Sequence, residues 1–281
     1  MGFRLSLRQR WKKSDSLLCV GLDPDPRRIP EHLGSGPGAI LSFCREIVDA
    51  TADQACAFKP QIAYFAAAGA EGVLQELIAY IHDRHPGIPV ILDAKRGDIG
   101  NTAEHYAIEA FERYRADALT VSPFMGLDSI EPYLAWSGKG VILLCRTSNP
   151  GGSDFQLLES DGERLFERIA RLAANDWNGD GSGSELGLVV GATYPAELRR
   201  VRELAPALPL LVPGIGAQGG DVDDAVRAGL DADGAGLVIN SSRAILYAGH
   251  DREFAAAARA VSIQARDAIR RAVGRATATT G

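Results

Sequence analysis

Residues 89–98 read Pro-Val-Ile-Leu-Asp-Ala-Lys-Arg-Gly-Asp, an unbroken apolar run that ends in closely spaced charges. An apolar run without polar alternation suits a strand covered on both faces, as in a parallel sheet under helices. The same kind of run recurs at Leu17–Asp23, Ala55–Gln61, Ala118–Pro123, Gly140–Thr147, Leu186–Thr193, Pro209–Gly216 and Gly234–Ser242. Amphipathic patterns lie between the runs, among them Ile40–Thr51, Gly69–His85, Thr102–Tyr114, Glu163–Asp176 and Asp221–Ala228. Strands alternating with helices in this way count out an α/β fold, the (β/α)8 TIM barrel. The 281 residues suit a single such domain, for which about 250 residues is typical. A doubly wound open sheet is the rival architecture, and strand count and even spacing favour the barrel. Around residues 149–185, loop compositions at Pro150–Ser153 and Gly179–Ser184 flank a helical pattern. This stretch reads as an elaborated loop, helix and linker inside one domain spanning residues 1–281.

Composition narrows the function classes. The chain is 46% hydrophobic, enough for a core, and 30 basic against 36 acidic residues leave a net charge of −6. No basic block extends beyond pairs such as Lys12-Lys13, so a nucleic-acid partner is not expected. A membrane span needs about 18 consecutive apolar residues, and no such run exists. The opening Met1–Ser6 is basic but has no apolar segment of a secretion signal. Gly2 with Ser6 fits the loose myristoylation pattern, which is short and common, and the segment reads as a solvated entry. Cys19, Cys44, Cys56 and Cys145 have no CxxC spacing. They read as small buried hydrophobes of a reducing, cytoplasmic compartment.

Barrel enzymes build their sites at the C-terminal ends of strands, and the polar residues gather there. The expected strand ends carry Asp23, Lys59, Asp93 to Asp98, Arg146-Thr147-Ser148, Gly214 to Gly219, and Asn240 to Arg243. Asp93 and Lys95 are two apart and so share a side of their strand, with Lys59 and Asp98 within plausible reach. A lone Asp-x-Lys would read as a structural ion pair. Several charges on neighbouring strand ends point instead to a positioned proton donor and an aimed carboxylate. Gly214-x-Gly216-x-x-Gly219 formally fits a dinucleotide fingerprint but lacks the acid about 20 residues on. It reads better as a phosphate grip of backbone amides, joined by the charged fork of Arg243. With no Ser-His-Asp set, metal cluster or nucleophilic Cys in the pattern, chemistry must run on lysines and carboxylates.

The run Val90 to Thr102, with Asp93-x-Lys95-x-x-Asp98-Ile99-Gly100-x-Thr102, resembles the signature of the orotidine 5′-phosphate decarboxylase family. Val20-Gly21-Leu22-Asp23, Phe58-Lys59-Pro60-Gln61, Pro213-Gly214-Ile215-Gly216 with Gln218, and Ser242-Arg243 are similar to its other strand ends, in the family's order. The wording is similar to the longer bacterial-type branch. The resemblance implies conversion of orotidine 5′-phosphate to UMP in de novo pyrimidine synthesis with no cofactor and no metal. It implies Lys95 as proton donor to C6 and Asp93 facing the substrate carboxylate, with Lys59 and Asp98 completing the network. Asp23 would join Lys59 at the ribose, while Gly216, Gln218 and Arg243 would grip the phosphate. Ser148 would bond the pyrimidine edge. The resemblance further implies a homodimer with shared active sites, in which Asp98 and Thr102 reach the neighbouring subunit's ribose. Rivals are a related sugar-phosphate enzyme, which shares Asp-x-Lys-x-x-Asp and typically uses Mg²⁺, a Schiff-base aldolase, and a non-catalytic phosphate-binding barrel.

Overall fold

A computed structural model describes residues 2–178, 183–214 and 221–278. The eight apolar runs form strands β1 (Leu18–Leu22), β2 (Ala57–Pro60), β3 (Ile91–Arg96), β4 (Ala118–Val121), β5 (Gly140–Arg146), β6 (Glu185–Val190), β7 (Leu210–Val212) and β8 (Leu237–Ser241). They make one sheet in the order β2-β1-β8-β7-β6-β5-β4-β3, and all neighbours are parallel. Its two outer strands, β2 and β3, meet through parallel bridges at Phe58–Val90 and Gln61–Asp93. An open sheet would leave these edges apart, so the sheet is a nearly closed (β/α)8 barrel. Continuous burial explains the unbroken apolar runs: every residue of β1, β2, β4 and β7 is buried.

The helices turn one apolar stripe inward. In Gly36–Thr51 the buried residues Ile40, Phe43, Cys44, Ile47 and Val48 recur at helical spacing. Between β5 and β6, residues 149–178 hold a short helix (Ser153–Gln156), a small antiparallel hairpin pairing Glu159–Ser160 with Glu163–Arg164, and a helix at Leu165–Asn175. All four cysteines are free and buried.

The opening segment departs from the solvated entry expected. Phe3–Ser14 is a helix that buries Phe3, Leu7, Arg10, Trp11 and Ser14. Phe3 closes against the start of β5, where a Cβ on Gly140 would lie 2.4 Å from its ring. Arg10 is turned inward as well, its guanidinium donating to the carbonyls of Ala52 and Ala55 beyond the end of Gly36–Thr51. The basic residues that read as a wet segment are therefore partly spent on backbone oxygens. At the other end of the chain, Phe254–Ala278 adds a 25-residue helix. Among the described residues no helix is long and apolar enough to cross a membrane.

Candidate active site

Three strands converge on one carboxylate. Lys59 at the tip of β2 places Nζ 2.9 Å from Asp93 Oδ2, and Lys95 on β3 places its Nζ 2.7 Å from Asp93 Oδ1. Thr120 on β4 donates its hydroxyl to the same Oδ1 at 2.9 Å. Lys59 and Asp93 are buried, 4% and 8% exposed, whereas the Lys95 side chain is 48% exposed at the mouth. Two-residue alternation is not what brings Lys95 there. The register of β3 against β4 shifts between Leu92 and Arg96, and Lys95 has φ of +48°. A non-glycine residue in the left-handed region costs energy and needs surrounding structure to hold it. Arg96, next along, turns away and pairs with Glu109.

Burial alone would push Asp93 toward its neutral form, but the charges of Lys59 and Lys95 outweigh it and hold the carboxyl well below the usual range. Burial likewise opposes the charge on Lys59, and the carboxylates of Asp93 and then Asp23 overcome it, raising that ammonium above its ordinary value. The array is thus one buried anion between two cations, with the more exposed cation at the open side. Such a group can present a proton to a ligand while its counter-ion stays ionised.

Asp23, just past β1, has a buried Oδ1 with no hydrogen-bond donor among the described residues. Its loop is fixed by Tyr247, whose hydroxyl donates to Asp23 O at 2.9 Å and accepts from Asp25 N. The Arg28 guanidinium lies 3.7 Å over the same ring. Ser148 sits half-buried past β5, its carbonyl accepting from Thr193. Arg243 opens a short helix after β8 and is exposed. Ser242 closes on β1, where a Cβ on Gly21 would fall 1.8 Å from its hydroxyl, so only glycine lets these strand ends approach.

The structure does not join every expected residue to the array. Asp98 accepts from the Ile99 amide at 2.9 Å and makes no ion pair with Lys59 or Lys95. Thr102 is exposed on the helix Gly100–Ile108. Gly216 and Gln218 lie outside the described residues. Among the described residues, no three His, Cys, Asp or Glu side chains gather as metal ligands.

Comparison with known proteins supplies the lineage. A profile of the orotidine 5′-phosphate decarboxylase / HUMPS family matches residues 16–258. The chain belongs to this family. A relative in Azoarcus sp. (strain BH72), named orotidine 5′-phosphate decarboxylase, is 66% identical over 269 residues, covering 96% of this chain and 98% of that protein. A protein of the same name in Dechloromonas aromatica (strain RCB) is 65% identical with the same coverage. Among solved structures, Leishmania donovani OMP decarboxylase is 42% identical with a TM-score of 0.81, covering 96% of this chain and 99% of that one. Leishmania donovani UMP synthase is 44% identical with a TM-score of 0.83, and the match covers 96% of this chain but 57% of that longer one.

Two residues of this family member escaped the sequence reading. Thr120 sits within an apolar run, where a β-branched residue signals only strand. Tyr247 lies more than two hundred positions from the Asp23 backbone it holds, and no local spacing announces that contact.

Proposed function

We propose that the chain decarboxylates orotidine 5′-phosphate to UMP, the closing step of pyrimidine nucleotide synthesis, within a single barrel domain. The observation that carries this reading is the Lys59–Asp93–Lys95 array at the barrel mouth. Loss of CO₂ from C6 leaves a carbanion in the plane of the ring, with no electron sink. An ammonium held beside C6 stabilises that charge as it develops and then delivers the proton. Lys95 is the lysine for this task, being bonded to Asp93 yet open to the mouth. Asp93 faces the departing carboxylate. The orphan Oδ1 of Asp23 is an acceptor that a ribose hydroxyl would satisfy.

Arg243, free of any ion pair among the described residues, is the cation for the substrate phosphate, joined in this reading by Gly216 and Gln218. Binding energy from this remote group orients the ring over Lys95. Ser148 meets the pyrimidine edge. No cofactor enters this scheme.

The active form in this reading is a homodimer. Asp98 and Thr102 stand apart from the array of their own barrel; Ile99, between them in sequence, is an exposed apolar side chain (55%), and Phe124 (80%) and Met125 (46%), past the end of β4, are exposed as well. A second copy covering that edge would bury them and carry Asp98 and Thr102 to the neighbouring ribose.

The test is the loss of orotidine 5′-phosphate absorbance with purified protein, run with and without EDTA. UMP should form in both. Turnover of a hexulose or ketogulonate phosphate instead, abolished by EDTA, would move the chain to the sugar-phosphate side of its family.

A further inference from the structure

The hydroxyl of Thr120 is fully engaged. It donates to Asp93 Oδ1 at 2.9 Å and accepts from the backbone amides of both Ala94 and Lys95 at 3.0 Å. Those amides belong to the part of β3 where the register slips. In a regular parallel ladder a strand amide finds a carbonyl on its neighbour. Here two consecutive amides turn to one side-chain oxygen, and Lys95 takes its left-handed conformation at that point. Thr120 is 1% exposed and so closed off from bulk solvent.

We infer that Thr120 is a positioning residue for decarboxylation, setting the β3 bulge that aims Lys95 and orienting the carboxylate that holds its ammonium. The inference rests on the function proposed above. One oxygen ties together the backbone of the proton donor and the side chain of its counter-ion. Removing it frees both at once: Asp93 Oδ1 keeps only Lys95, and two part-buried amides lose their acceptor. The bulge can then relax toward a regular register, which would swing the Lys95 side chain away from the mouth. Thr120 itself need touch no substrate atom.

The experiment compares Thr120→Val, which keeps the shape and loses the hydroxyl, with Thr120→Ser, which keeps the hydroxyl. UMP binding, thermal unfolding and steady-state kinetics are measured on each. Misplacing a reacting group by about 1 Å costs on the order of 10²-fold. Thr120→Val should lose about that factor in kcat while UMP affinity stays within about threefold. Thr120→Ser should recover at least tenfold of the loss. Should Thr120→Val not fold, Thr120→Ala takes its place against the same serine variant. A hydroxyl-free variant with wild-type kcat overturns the inference, as does a serine variant no faster than the hydroxyl-free one, or a kcat loss matched by an equal loss of UMP affinity. Absence of decarboxylation by the wild type would instead overturn the proposed function, so the two failures are told apart.

Discussion

Replacing Asp93 by Asn strands a buried cation. Lys59 is 4% exposed, and its direct ion-pair partner is Asp93. Breaking a buried pair by removing one member costs about 3–5 kcal/mol, because the remaining charge is left uncompensated. Asp23 still acts on Lys59, and Lys95 can turn to solvent, which places the variant near 3 kcal/mol. At about 2–4 °C per kcal/mol for a domain approaching this size, the melting temperature at pH 7 should fall by roughly 6–12 °C. The pH dependence separates this cause from general damage. In the wild type, Asp93 has a depressed folded pKa, so its contribution is present above the unfolded value of about 3.9 and fades as pH falls through the folded one. Lys59 has a raised folded pKa, so its contribution holds below about 10.4 and fades as pH rises through the folded one. Both are fully expressed at pH 7. Without Asp93, burial dominates Lys59 and drops its folded pKa below the unfolded value. The folded variant then gains stability as pH rises toward 10, and its deficit against the wild type narrows. Calorimetric melts from pH 7 to 10 measure this directly. A deficit under about 1 kcal/mol, or one that stays constant to pH 10, would refute the reasoning.

Other perturbations separate binding, assembly and folding. Arg243→Ala should weaken UMP binding by about 1.5–3 kcal/mol in titration calorimetry, the worth of a hydrogen bond to a charged group; unchanged affinity would remove Arg243 from the phosphate. Mixing Lys95→Ala with Asp98→Ala chains under exchange should restore activity at roughly a quarter of all sites, because one site of each mixed two-fold dimer is intact. No recovery after mass spectrometry confirms exchange would place Asp98 in its own barrel. Phe3→Ala should cost about 3–5 kcal/mol of stability in denaturant unfolding while leaving the rate per folded molecule intact, since the ring packs at the start of β5, far along the strand from the catalytic end.

The barrel was legible because each strand is buried on both faces. Val90-Ile91-Leu92 cannot alternate, and the charges of Asp93 and Lys95 then mark where cover ends. The convergence of Lys59, Asp93 and Lys95 followed from the same placement of polar residues at strand ends. What was not legible depends on neighbours distant in sequence. The opening helix carries an apolar stripe at Phe3, Leu7 and Trp11, but Arg4, Arg8, Arg10, Lys12 and Lys13 crowd the segment and mask it. Nothing in Asp-Ala-Lys foretells a positive φ at Lys95, because no glycine marks the turn; the cause is the hydroxyl of Thr120 on the next strand. Glycine content announced a loop after β7, yet Gly216 and Gln218 lie outside the described residues.

The central claim is that the Lys95 ammonium, held by Asp93, protonates C6 after CO₂ leaves orotidine 5′-phosphate. Turnover in buffered D₂O, with the UMP analysed by proton NMR, tests it most directly. The wild type should release UMP carrying one deuterium at C6, and Lys95→Ala, folded by its melting curve, should retain less than about a hundredth of the rate, given general-acid effects of roughly 10²–10⁴-fold. Wild-type protein that leaves the substrate intact, or a Lys95→Ala variant that still forms C6-deuterated UMP at near the wild-type rate, would contradict it.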